Sequence, residues 1–143
     1  LSWATFSGVT GAVTLNPDND VDDHIHVTIP VATLVASNTL LTWQLKSDMF
    51  FDAEHYPTIE FISSRLVAQG GGRFRVFGTL TVRNIARPVI LEAAVKDPHA
   101  QALTLDATTA ISRASYGMDK FALVVDDRIA IAIAIQTNKV PSS

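Results

Sequence analysis

The sequence predicts an all-β domain with one short helix, and three features carry that expectation. Apolar and polar side chains alternate with a period of two along most of the chain, as strands with one dry and one wet face do. Turn-forming groups separate those runs, among them Asn16-Pro17-Asp18-Asn19 and Gly70-Gly71-Gly72. A helical period occurs only from Ser37 to Phe51, where Leu41, Leu45 and Met49 recur at i, i+4 and i+8.

In chain order, Val9, Gly11, Val13 and Leu15 share one face opposite Thr10, Ala12 and Thr14, and Ile25, Val27 and Ile29 alternate with His24, His26 and Thr28. Ser37 or Asn38 can cap the helix. Pro57 forbids its continuation and pushes Tyr56 into an extended conformation, so Thr58 to Phe61 begins a strand with Ile59 and Phe61 on one face. Phe74, Val76, Gly78, Leu80 and Val82 then oppose Arg73, Arg75, Thr79, Thr81 and Arg83. Val89, Leu91, Ala93 and Val95 face inward against Glu92 and Lys96, and Leu103, Leu105, Thr109 and Ile111 against Thr104, Asp106 and Thr108. Ile129, Ile131, Ile133 and Ile135 close the series against Ala130, Ala132, Ala134 and Gln136, and the end from Pro141 to Ser143 is expected to fray.

About seven antiparallel strands of this kind can close into a barrel or pair as a sandwich, and the pattern fits both. Inward residues such as Gly11, Ser63, Gly78, Ala93, Ala107 and Thr109 are small and would leave room for a ligand in a barrel, although well-filled barrels use small residues too. No repeat or linker divides the chain, so residues 1–143 read as a single domain.

Composition removes several functions. Eleven Lys and Arg against fourteen Asp and Glu give a net charge of -3, with no basic block, so no nucleic-acid partner is expected. Without cysteine there is no disulfide framework, thiol nucleophile or Cys-ligated metal. No apolar run approaches the roughly 20 residues of a membrane-spanning helix, so a soluble protein is expected. Leu1, with no Met or charged leader before it, reads as a processed or trimmed start.

The side chains capable of chemistry lack the spacing that chemistry needs. His24 and His26 project from one strand face near Asp20, Asp22 and Asp23, but no third His or Cys closes a metal site. Asp18, Asp20 and Asp22 open like a calcium loop, yet Asp23 stands where its glycine belongs and Ile29 where its glutamate belongs. The serine nucleophile elbow is absent, and neither His55 nor His99 is spaced for a triad. Asp48 and Asp52, four apart on the helix, read as a wet face. Arg83, Arg87 and Arg113 could contact a phosphate or carboxylate, although surface arginines also keep strand edges soluble. No metal, no cofactor and no enzyme is expected.

Four stretches carry a family resemblance: FSGVTGAVTLNPDN at Phe6 to Asn19, LKSDMFFDAEHYPTIEF at Leu45 to Phe61, GTLTVRNIARPVIL at Gly78 to Leu91 and ISRASYGM at Ile111 to Met118. Together they resemble the YceI-like family of bacterial lipid-binding proteins over Phe6 to Val140. Arg83-Asn84 departs from the His-Gly common in the family's hairpin, which puts any contact of that His in doubt. The family also carries a further strand before the segment matching Phe6, so the barrel is expected to lack its first strand. An open edge of that kind would be covered by missing chain or by a second copy in a homodimer.

The resemblance implies an antiparallel, lipocalin-like β-barrel with one short helix, periplasmic or secreted, binding a long isoprenoid lipid or a quinone tail. Such a cargo is compatible with transient membrane contact. Each methylene removed from water contributes about 0.8 kcal/mol, so a dry tunnel can hold the chain without catalytic groups. On this reading Ile59, Phe61, Phe74, Val76, Leu80, Leu91, Leu105, Ile111, Ile131 and Ile133 line the tunnel, and Phe50, Phe51 and Tyr56 cover one end. Two rival functions are an enzyme for a hydrophobic or acyl substrate, using Thr109 and Ser63, and a module binding a sugar on an outer face. For the latter, Trp3 and Trp43 are expected near the start and on the helix, away from strand faces.

Overall fold

The computed structural model describes residues 2–15, 23–96, 102–119 and 126–138. The expected Asn16–Asn19 turn, the calcium-like Asp18, Asp20 and Asp22, His99 and the Pro141–Ser143 end lie outside the described residues. Among the described residues there are eight strands: β1 (Ser2–Phe6), β2 (Thr10–Thr14), β3 (His24–Pro30), β4 (Thr58–Gly70), β5 (Arg73–Val82), β6 (Ile85–Val95), β7 (Ala102–Ser112) and β8 (Arg128–Asn138). They form one sheet in the order β1-β8-β7-β6-β5-β4-β3-β2. Its two edge strands, β1 and β2, are consecutive in the chain and joined by Ser7 to Val9, and β2 also comes against β8. The sheet therefore curls into a barrel whose seam is spanned by the chain itself.

Two features differ from the sequence expectation. Ser2–Phe6 forms a strand beside β8, with Ser2, Ala4 and Phe6 buried and Trp3 and Thr5 exposed. The edge of β8 is thus occupied, and Trp3 lies on an outward strand face. This strand runs parallel to β8, from Ser2 opposite Ile129 to Phe6 opposite Ile133, whereas every other pair is antiparallel. Thr5 and Val35 exchange backbone hydrogen bonds of 2.9 Å, tying β1 to the segment leading into the helix.

Helix α1 is shorter than its period suggested, Thr39–Lys46, with Asn38 as the cap accepting from the Leu41 amide at 2.8 Å. Ser47 ends it, because its hydroxyl and amide both bond the Gln44 carbonyl. The chain then doubles back, and the amides of Phe51 and Ala53 satisfy the orphan carbonyls of Leu45 and Lys46. Asp48 and Asp52 consequently lie beyond the helix. Asp52 is buried, with a left-handed φ of 53°.

The inward residues of the strands merge into one core, in which Phe61, Val76, Leu80, Leu91, Leu105 and Ile129 are nearly inaccessible. Space left by a small residue is taken by a neighbour. Gly78 sits opposite Ser63, where Ser64 is an extra residue in β4, and the ring of Phe61 lies directly on its Cα. A Cβ at this position would stand 2.6 Å from Phe61 Cζ and would also strike the Ile62 carbonyl. The Gly78→Ala variant is therefore expected to lose about 1–3 kcal/mol in urea unfolding; wild-type stability would contradict this packing.

Candidate ligand-binding site

Three sequence-distant segments meet at one end of the barrel and fill it. The loop after α1 supplies Phe50 and Phe51, fully buried, with Phe51 edge-on to Phe6 at 5.8 Å between ring centroids. The β5–β6 hairpin turns at Arg83 and Asn84, with φ of 54° and 60°, the conformation of a two-residue turn that matches strand twist. Arg83 donates to the Phe50 carbonyl at 3.0 Å, and its guanidinium covers the half-exposed ring of Tyr56 at 5.7 Å. From the third segment, Arg113 is buried, donating to the Asp126 and Met118 carbonyls at 2.7 Å each, with its guanidinium 5.3 Å from the centre of the Phe50 ring. Tyr116 reaches across to donate to the Leu80 carbonyl at 3.2 Å, and burial pushes its hydroxyl up to about 12, partly offset by Arg87. Arg83 and Arg113 thus serve the floor of the barrel, while Arg87 is exposed and bonds its neighbour's carbonyl.

The thirteen residues expected around the cargo divide between this floor and the core. Phe50, Phe51 and Tyr56 belong to the floor; Ile59, Phe61, Phe74, Val76, Leu80, Leu91, Leu105, Ile111, Ile131 and Ile133 are buried in one contiguous cluster. Of the two small polar residues of the enzymatic rival, Ser63 accepts the Ile25 amide at 2.8 Å, and Thr109 is half-buried in the barrel wall. His24 and His26 are exposed, with His26 Nε2 3.4 Å from Glu60, and the described residues contain no metal-holding group of three or more His, Asp or Glu.

A feature with the dimensions of a ligand site lies in the wall. β6 and β7 pair only from Glu92 opposite Thr108 to Val95 opposite Leu105, although β6 begins at Ile85 and β7 continues to Ser112. Below Glu92 the strands part. A groove of about 930 Å3 occupies the gap, with Phe77, Pro88, Ile90, Ala110 and Ala130 on its outer walls. Inward-facing Gly78, Val89 and Thr109 form its base, and Val89 packs against the core. That volume suits a small-molecule or lipid-chain site. None of the thirteen expected residues lines it. A signal for the gap was present in Pro88, which has no N–H for a sheet ladder and is out of place in a central strand paired on both sides.

Beside the floor, His55 Nδ1 lies 2.9 Å from Asp52 Oδ1 and 3.1 Å from Oδ2, a pairing that sequence spacing did not suggest. This hydrogen bond holds the Asp52 carboxyl below its ordinary value of 3.8, with burial opposing it. It also raises His55 above 6.5, helped by the charge of Asp52. The histidine's contribution to stability is complete below 6.5 and is lost as pH rises through the raised value. The aspartate's is present above 3.8 and is lost as pH falls through the lowered value. His55→Ala is accordingly expected to destabilise most near about pH 5 and least near about pH 9. Equal losses in urea unfolding at both pH values would contradict the pairing.

The YceI-like domain family matches residues 2–137. A UPF0312 protein of Photorhabdus laumondii is 33% identical over 103 residues, 68% of this chain and 53% of the relative. Protein YceI of Escherichia coli is 31% identical over 94 residues, 64% of this chain and 49% of the relative. The chain thus spans about half the length of these curated relatives. Among solved structures, Burkholderia cenocepacia BcnA has a TM-score of 0.75 at 23% identity, covering 91% of this chain and 84% of that one. The Campylobacter jejuni YceI protein has a TM-score of 0.74 at 19% identity, covering 96% and 85%. At those identities the likeness is one of fold. With the family match running almost end to end and the fold shared with solved relatives, the chain belongs to the YceI-like family.

Proposed function

We propose that this protein binds the long apolar chain of an isoprenoid lipid or quinone, as a carrier without turnover. The observation that carries the reading is the groove between β6 and β7, whose apolar walls lead from the outer surface to inward-facing Gly78, Val89 and Thr109. Family membership supports the same class of cargo. The opposing strands contribute side walls without a continuous ladder between them, so a chain can lie in the gap without breaking sheet hydrogen bonds. Burying each methylene there contributes about 0.8 kcal/mol, so the driving force grows with the length of chain covered and needs no polar anchor. A bacterial periplasm, next to membranes that hold such lipids, is the proposed setting.

Native mass spectrometry of protein purified from a bacterial host, followed by solvent extraction, is expected to yield an isoprenoid or quinone mass. Ala110→Phe, which fills the groove from its outer wall, is expected to weaken binding at least about tenfold, through lost contact area, while the protein stays folded. Protein that remains unbound after incubation with octaprenyl lipids and ubiquinone would contradict the proposal.

A further inference from the structure

We propose that the outer face built from β1 and α1 docks on a neutral lipid bilayer, with Trp3, Leu40 and Trp43 seated at headgroup level. Docking does not require the groove to hold cargo, so it is separate from the carrier reading. Both tryptophans of the chain lie on this face. Trp3 points outward from β1 and is 44% exposed, Val35 is 56% exposed, and Leu40 and Trp43 are 70% exposed each. Leu40 and Trp43 are three apart on α1, hence on one side of the helix, away from the buried Leu41 and Leu45. Trp3 and Leu40 line one cleft, and Val35 bridges Thr5, the other outward residue of β1. The four apolar side chains therefore share one surface. Trp3 also stands opposite Ala130, which lines the groove, so this surface reaches the groove's edge.

The occupant follows from charge, area and side-chain type. Residues 1–17 and 24–45 contain no Asp, Glu, Lys or Arg, so the segments that present the patch bring no formal charge to be desolvated. At its edge Asp126 and Asp127 precede Arg128 at the start of β8, and Lys46 ends α1, so acid and base are matched. Asp126 lines the same cleft as Trp3 and Leu40, which opposes deep insertion and attraction to anionic headgroups. The four side chains expose about 500 Å2 together, short of the roughly 800 Å2 per partner of a stable dimer. A fluid bilayer demands no matching surface of fixed shape. Tryptophan, with an apolar ring and one N–H, favours the boundary between headgroups and acyl chains.

The test incubates the full chain with phosphatidylcholine vesicles, with and without brominated acyl chains, and measures co-flotation and tryptophan emission. Because the chain has no other tryptophan, the emission reports on Trp3 and Trp43 alone. Co-flotation, a blue shift and quenching by the brominated lipid are expected. The double variant Leu40→Ala/Trp43→Ala should partition at least about tenfold more weakly, through lost apolar area. Its melting temperature and its affinity for ubiquinone in solution should be unchanged. Wild-type protein that stays off the vesicles, or co-flotation that survives the double substitution, would overturn docking by this face. Co-flotation that requires added phosphatidylglycerol would overturn it too, as would a solution dimer that the double variant abolishes. Ubiquinone binding without vesicle binding leaves the carrier reading standing, and vesicle binding by protein that takes up no isoprenoid leaves docking standing alone.

Discussion

The short ladder between β6 and β7 is the constraint on which the rest of the site depends. Had the two strands paired along their full length, the wall would be continuous and the groove absent. Pro88 cannot donate to a ladder, and the turn at Ala114–Tyr116 sits where β7 would otherwise continue beside β6. Tyr116, bonded to the Leu80 carbonyl, fixes that turn to β5 on the far side of β6. The gap is thus framed by the floor below and the Glu92–Val95 pairs above, and its width follows from those two fixtures.

The floor explains why the opening is lateral. Phe50 lies under Arg113, its carbonyl is held by Arg83, and the same Arg83 covers Tyr56. Arg113 is buried and satisfied by backbone carbonyls, and Arg83 is half-buried; removing either donor leaves carbonyl acceptors of the floor without that partner, which is costly. This end of the barrel is therefore a rigid plug and a poor route for a flexible chain.

Much of the fold was legible because strand alternation is a local signal. The inward faces read from β3, β5 and β8 are the buried faces found, and Asn38 caps the helix as its position suggested. What escaped the sequence depends on distant partners. The helix ends at Ser47 because the chain folds back onto its last carbonyls, which also carries Asp52 into its pairing with His55. Gly78 was compatible with open space or with a well-filled barrel, and the ring of Phe61 from the neighbouring strand decides for filling. The groove arises from the separation of two strands, a relation that alternation within either strand does not encode. The segments that carry the family resemblance were visible in the sequence, but their convergence on Phe50 required the fold.

The most direct test of the central claim is to map where a bound chain lies. An octaprenyl phosphate carrying a photoactivatable group in its tail would be bound to the protein, irradiated, and the labelled peptides identified by mass spectrometry. Labels concentrated on Phe77, Pro88 to Ile90 and Ala110 are the outcome expected if the parted strands receive the lipid. Labels confined to the floor loop around Phe50 to Tyr56, with none on β6 or β7, would contradict it.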